Sequence, residues 1–371
     1  MAEWKEYTLG ELLQYEQPTA YIVKSTDYND NYKTPVLTAG KTFILGYTNE
    51  RQGVYDELPV IIFDDFTTAS QYVNFKFKVK SSAMKILKAN AGLVLPKFVF
   101  YRMQIIKFDA STHKRYWIQH YSKIKVKIPP TISEQEHIIS RIEELFSQLD
   151  VSVNELKTAK ERLKVYRQAV LKEAFGEVTT HTPFGEIIDA RLGKMLDKEK
   201  NTGDFHKYLR NINVRWFSFD LSNLLEMRIE ADEIEKYSVS HNDLIICEGG
   251  EPGRCAVWDK QDSIFYQKAL HRVRFLDNSN PRFYMYYLWF SAQSGQLCRY
   301  FTGTGIKHLT GQSLSRVIVP TADRTIQDSI VAEIESRLSV CDSIQKTVDT
   351  ALQQTEALRQ SILKKAFKGG F

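Results

Sequence analysis

The chain has little of what marks a disulfide framework, a metal centre or a membrane span. Its four cysteines, Cys247, Cys255, Cys298 and Cys341, show no C-x-x-C spacing. They read as free thiols of a reducing cytosol, not as a zinc site or a set of disulfides. No apolar run approaches the roughly 18 residues of a membrane span. The opening Met1-Ala2-Glu3-Trp4-Lys5 lacks the form of a signal peptide, so the expected location is the cytoplasm, with no membrane partner. No low-complexity segment or long linker is evident. Charge of one sign is also scarce: 50 Lys+Arg stand against 45 Asp+Glu. The excess is confined to residues 1–128, with 18 basic against 12 acidic side chains, while residues 176–319 carry 18 of each. That surplus permits phosphate binding in the first segment without requiring it.

Catalytic signatures are missing too. An amino-methyltransferase needs an N/D-P-P-Y/F loop, and the nearest match, Asn280-Pro281-Arg282-Phe283, has arginine at the second proline and reads as a turn. Gly303-Thr304-Gly305 lacks the third glycine and preceding long strand of a dinucleotide fingerprint. Asp150, Glu155 and Lys157 have the letters of a nuclease site but fall on a charged helix face. Asp64-Asp65 has no acid-x-Lys nearby and reads as a loop carboxylate that accepts from a cytosine amino group or caps a turn. The eight histidines are scattered, and His113 and His120 read as surface residues. No catalytic centre, metal or cofactor is expected in this chain.

What the chain does contain is a repeat. Shifted by 192 positions, residues 133–175 lie over 325–367 without a gap, and 14 of 43 pairs are identical. Among them are Gln135/Gln327, Glu143/Glu335, Asp150/Asp342, Arg167/Arg359 and Phe175/Phe367. Both copies read as helix. Ser133-x-x-Glu136 and Thr325-x-x-Asp328 have the form of capping boxes. Apolar residues then recur every seven: Ile142, Leu149, Leu156, Leu163 and Val170 in the first copy, and Ile334, Cys341, Val348 and Ile362 in the second. A weaker second line, three residues on, includes Ile344 and Leu358. This is a two-helix seam of period 3.5, and its repetition within one chain predicts an antiparallel intramolecular coiled coil. At about 1.5 Å per residue each helix would run roughly 65 Å.

The order is therefore 1–130 globular, 131–176 helix, 177–322 globular and 323–371 helix. The globular parts open alike, with Leu9-Gly10-Glu11 and Phe184-Gly185-Glu186, and close alike on short runs into proline near 128–130 and 317–320. Between these frames they barely match. Their contents read as mixed α/β, giving an α+β chain overall with a pseudo-twofold repeat. Residues 58–63 and 243–247 read as buried strands; residues 72–80 read as a strand with Lys76, Lys78 and Lys80 on one face.

This layout resembles the specificity subunit of type I restriction–modification systems. The resemblance rests on the two matched openings, the 128–135 entry to the first helix and the helix ends 171–175 and 363–367. Residues 35–40, 58–65, 243–254 and 305–309 carry it within the domains. The second helix entry departs from it, with Ile326-Gln327 where a Glu-Gln pair is expected. The resemblance implies two target recognition domains, each reading half of an asymmetric bipartite double-stranded DNA sequence. It also implies helices that fix the half-site spacing and dock two modification (methyltransferase) subunits for adenine N6 methylation. S-adenosylmethionine would sit in those partners, and ATP and Mg in the restriction motor-nuclease subunits.

Candidate DNA contacts come from polar loops after strands. In the first domain they are Thr38, Lys41, Asp65, Thr67, Thr68, Ser70, Gln71, Tyr72 and Lys76. In the second they are Lys194, Arg210, Asn211, Asn213, Arg215, Arg254, Lys268, Lys307 and His308. Each could equally be a solvated turn residue. Trp216 and Tyr116 read as core. Two other readings compete: a coiled-coil scaffold without DNA readout, and a self-contained DNA-modifying enzyme. The first leaves the two dissimilar domains with matched openings unexplained, the second the missing motifs.

Overall fold

A computed structural model describes residues 3–368 apart from 41, 112–113 and 198–200. The chain forms two compact units, one of Met1–Leu156 with Thr350–Phe371, the other of Lys157–Asp349. The two long helices, Ile132–Gly176 and Arg324–Ala366, each give one stretch to each unit.

In the first unit, strand Lys5–Thr8 pairs antiparallel with Lys125–Ile128, closing the domain where it enters the long helix. Thr8 caps the short helix Leu9–Leu12 and Glu11 answers it, a capping box that turns the chain into the main sheet. That sheet is antiparallel, in the order Leu13–Glu16, Met84–Ala89, Val60–Asp64, Ser70–Val73. The run 60–63 is apolar without alternation because both faces of its strand are covered. Ile61 and Phe63 pack with Phe98, Trp117 and Tyr121 on one side. Val60 and Ile62 pack with Leu37, Tyr55, Phe77 and Val79 of a second layer on the other.

The second unit repeats this plan. His181–Pro183 pairs with Ile318–Pro320, and the main sheet runs Ile188–Leu192, Leu270–Phe275, Leu244–Cys247, Cys255–Val257. Leu244 and Ile246 face the helix Pro281–Gln293, while Ile245 and Cys247 face a second sheet containing Leu209 and Tyr266. The shared Gly10 and Gly185 have a steric cause. A Cβ on Gly10 would lie 3.3 Å from the Ser122 carbonyl oxygen, and one on Gly185 would lie 2.6 Å from the Ser315 Cβ.

The long helices pack antiparallel in both units. In the first, Arg359 pairs with Asp150. In the second, Lys160 pairs with Asp349 at 2.9 Å, Arg167 with Asp342 at 2.8 Å and Arg337 with Glu173 at 3.0 Å. Under the 192-residue shift, Arg167–Asp342 and Arg359–Asp150 are one interaction made twice.

Three expectations need correction. The expected first seam line holds, with Ile142, Leu163, Val170, Ile334, Cys341 and Val348 buried and Leu149, Leu156 and Ile362 half-buried. The second line does not: Ile344 and Leu358 are 45% and 48% exposed. It lies four residues on from the first, at Phe146, Val153, Lys160, Arg167 and Ala174, and at Leu338, Gln345, Leu352, Arg359 and Ala366, all buried or half-buried. Lysine and arginine serve there because their aliphatic stems lie in the seam while their charges reach an acid on the facing helix. The helix starts also shift. Thr131, not Ser133, caps the first helix, accepting from the Glu134 amide at 3.2 Å, and Thr325 already lies inside the second. Finally, residues 72–80 are not one strand. Ser70–Val73 and Lys78–Val79 belong to different sheets, and Lys78 is buried against Glu50 and the Gln52 carbonyl while Lys76 and Lys80 are exposed.

Candidate nucleic-acid interface

Each unit holds its domain on the long helices with the same device. In the first, buried Gln135 accepts from the Leu95 amide, the N-cap of helix Pro96–Met103, and donates to the Leu93 carbonyl, both at 2.9 Å. In the second, Gln327 accepts from the Asn280 amide at 2.6 Å, the N-cap of helix Pro281–Gln293, and donates to the Ala322 carbonyl at 2.8 Å. Proline opens both domain helices, where the missing N–H costs nothing. The next residue is basic and reaches the repeated glutamate: Lys97 to Glu143 at 2.7 Å, and Arg282 to Glu335 at 3.1 Å. One turn on, Tyr101 and Tyr286 donate to those glutamates. Burial, with the carboxylate adding to it, pushes both phenols up to about 12, so they stay donors. Phe98 meets Phe367 edge-on at 5.2 Å, and Phe283 meets Phe175 at 5.3 Å. Thus Asn280-Pro281-Arg282-Phe283 is a helix start that grips the long helix.

The central strand of each main sheet is followed at once by an acid held alike. The Asp65 amide donates to the Ala83 carbonyl and its carbonyl accepts from the Tyr116 amide, both at 2.9 Å. The Glu248 amide donates to the Ala269 carbonyl at 3.0 Å and its carbonyl accepts from the Leu309 amide at 2.7 Å. Beyond these acids lie the loops expected to read DNA: 65–69 in the first domain, and 248–254 with 302–308 in the second.

The structure redistributes the candidate contacts. Asp65 is not a surface reader: it is 2% exposed, 3.3 Å from the Lys85 ammonium, and accepts from the Trp117 amide at 2.7 Å. Lys194 is buried between Glu230 and Glu233, and holds the carboxyl of Glu230 down to about 2. Asn213 is buried, donating to the carbonyls of Asp220 and Asn223. These three removals share a cause: each polar group is consumed by a partner distant in sequence or by its own turn, so it cannot also face a base. Arg210 donates to the Asn223 carbonyl, and Thr38 closes its own turn onto the Thr42 carbonyl. Ser70 accepts from Gln104. Gln71 is half-buried, and Tyr72 lies under the Lys97 ammonium. Lys76 and Arg215 are exposed and paired with Asp56 and Asp220. Lys41 lies outside the described residues.

Thr67 and Thr68 stand on the tip of the first domain's loop. Asp64 shapes it by accepting from the amides of Phe66 and Thr67 at 2.9 Å, and Thr68 takes φ 59°. In the second domain Asn211, Arg254 and His308 gather round loop 248–254. Asn211 donates to the Gly249 carbonyl, Arg254 donates to the Asn211 carbonyl and pairs with Glu251, and His308 lies 3.1 Å from the position a Gly249 Cβ would take. Lys307 is exposed on the neighbouring loop and donates to the Gly303 carbonyl. Lys268 is exposed at the rim of an open cleft of about 330 Å³ lined by Lys194, Glu248 and Gln267. Sequence reasoning missed Glu248, Lys85 and the gripping roles of Gln135, Gln327, Glu143 and Glu335. For the last four the signal was present as identities in the repeat.

Fold and site define a class: two differently lined domains of one plan, each fastened by the same device to a duplicated helix. The family model for the type I restriction modification DNA specificity domain matches residues 1–161 and 183–354, so the chain belongs to that family. It is 46% identical over 228 residues to the specificity subunit of the type I restriction enzyme EcoR124I/EcoR124II of Escherichia coli, covering 58% of this chain and 54% of that protein. To the EcoKI specificity subunit of Escherichia coli (strain K12) it is 25% identical over 270 residues, covering 67% and 58%. The matches thus span little more than half the length of these curated relatives. Among solved structures, a chain from a study of complex assembly and conformational transition in the type I R-M system superposes with TM-score 0.77 at 15% identity, covering 100% of this chain and 99% of that one. The HsdS subunit from Thermoanaerobacter tengcongensis does so with TM-score 0.57 at 16% identity, covering 99% and 97%. These likenesses show the fold. No described helix is long and apolar enough to cross a membrane.

Proposed function

We propose that this chain is the DNA sequence-specificity subunit of a type I restriction–modification complex. Each globular domain reads one half of an asymmetric bipartite target in the major groove, and the long helices set the half-site separation. The chain is non-catalytic and works in the cytoplasm. Two modification subunits dock on the helices and methylate adenine N6 with S-adenosylmethionine; restriction subunits bring ATP and Mg. The observation that carries this reading is the anchoring device itself. Gln135, Glu143 and Phe367 in one unit, and Gln327, Glu335 and Phe175 in the other, hold domain helices alike while the loops beyond them differ. A rigid frame with unlike loops is what two different base readouts require, and a fixed separation between readers makes half-site spacing a geometric constant. The test is methylome sequencing of cells expressing this chain with its modification subunit. A gapped, asymmetric adenine-methylated motif is the expected result, and its absence would favour a scaffold without readout.

A further inference from the structure

The two acids that follow the central strands sit at equivalent places and meet opposite fates. Asp65 is sealed by Lys85 and the Trp117 amide. The position that Lys85 fills in the first sheet is taken by His271 in the second, because Phe63 faces Lys85 as Ile246 faces His271. His271 is spent on the Leu309 carbonyl, at 2.9 Å. Burial lowers the pKa of the His271 ring and outweighs the Glu248 carboxylate, which lies close enough to raise it. Glu248 has no salt bridge or hydrogen-bond donor for its carboxylate among the described residues, and it lines the open cleft beside Gln267 and Lys268. Among the described residues the buried cation of that cleft, Lys194, is already neutralised by Glu230 and Glu233.

On a surface that faces DNA, as the proposed function requires of these loops, an unpaired carboxylate is repelled by phosphate. It becomes favourable only where it accepts a hydrogen bond, and the donor that a base edge offers a carboxylate in the major groove is an amino group, above all cytosine N4. The flanking cations fit that placement. Lys268 at the cleft rim and Lys307 on the adjacent loop are exposed and suited to backbone phosphates, and they hold the duplex without reading it. Glu248 itself is fixed by its backbone bonds to Ala269 and Leu309, so its carboxylate is presented from a rigid strand end rather than a loose loop.

We infer that Glu248 is a specificity-determining residue of the second domain, accepting from the amino group of a cytosine in that half-site. The inference rests on the proposed function above. It is tested in the complex of the full chain with its modification subunits, by methylome sequencing of wild type, E248Q and K268Q. The glutamine is nearly isosteric and half-exposed, and its amide suits adenine N6 and N7. The expected result for E248Q is a second half-site in which one cytosine position relaxes, with methylation of sites carrying adenine there rising about tenfold or more relative to wild type. The first half-site stays unchanged. K268Q should lower methylation of all sites together and leave the motif intact. An E248Q motif identical to wild type, or a uniform loss like that of K268Q, would overturn the inference while leaving the function standing. A wild-type chain that directs no gapped motif would overturn both.

Discussion

Asp65 and Lys194 show how partners decide what a polar residue does. Both stand in polar stretches after strands, which is where reading residues are sought, and both are consumed by groups far away in the chain: Asp65 by residues 85 and 117, Lys194 by residues 230 and 233. His271 offers the cleanest titration. Burial lowers it from its ordinary 6.5, outweighing its bond to the Leu309 carbonyl, and Nε2–H donation to that carbonyl fits the neutral ring. A histidine held neutral in the fold contributes stability that is complete above about 6.5 and is lost as pH falls from there toward its folded value. The stability of the wild type should therefore fall as pH drops below about 6.5, and H271Q should show a shallower decline over the same interval. Unfolding free energies from urea titrations that fall equally with pH in the two proteins would contradict this. At this scale the sequence showed residue types but not partners, since whether a polar side chain closes its own turn, is sealed in the core or faces an open cleft depends on groups distant in the chain. Asn213, Asp65 and Glu248 could not be told apart until their neighbours were placed.

At the scale of the element, the long helices were legible in length, repeat and pairing, and the first seam line was correct. The second line was misplaced by one residue. Apolar content pointed to Ile344 and Leu358, whereas the seam runs through Lys160, Arg167, Gln345 and Arg359. A pattern search that counts only apolar letters misses stems of lysine and arginine packed along a groove. Truncation separates the two assignments. L163A removes a buried side chain and should cost about 2–3 kcal/mol, whereas L358A, nearly half exposed, should cost within about 0.5 kcal/mol. Chemical denaturation of both variants checks the order, and comparable losses would reinstate the expected seam. The ion pairs themselves, at half-exposed positions, contribute on the order of 0–1 kcal/mol each and fix register more than stability. The same blindness hid the grip on the domain helices. Pro96-Lys97-Phe98 and Pro281-Arg282-Phe283 correspond, but their spacing from the long helices differs by seven residues between the copies, so the 192-residue shift that aligns the helices does not align them.

For the whole molecule, the repeat accounts for what is constant and the loops for what is not. Domain openings, edge-strand closures, buried glutamines and the phenylalanine contacts recur in both units, and all of them serve to hold a domain on helix. The parts that differ are the make-up of the second-layer sheets, three strands in the first unit and four in the second among the described residues, and the loops past Asp65 and Glu248. If the domains are independent readers on a shared frame, exchanging one must leave the other's readout alone. The decisive measurement replaces residues 177–319 with the corresponding domain of another family member, expresses the chimera with the modification subunit, and sequences the methylome. The account predicts a gapped motif in which one half-site changes and the other half-site and the gap length persist. A chimera that alters both half-sites, or neither, would contradict it.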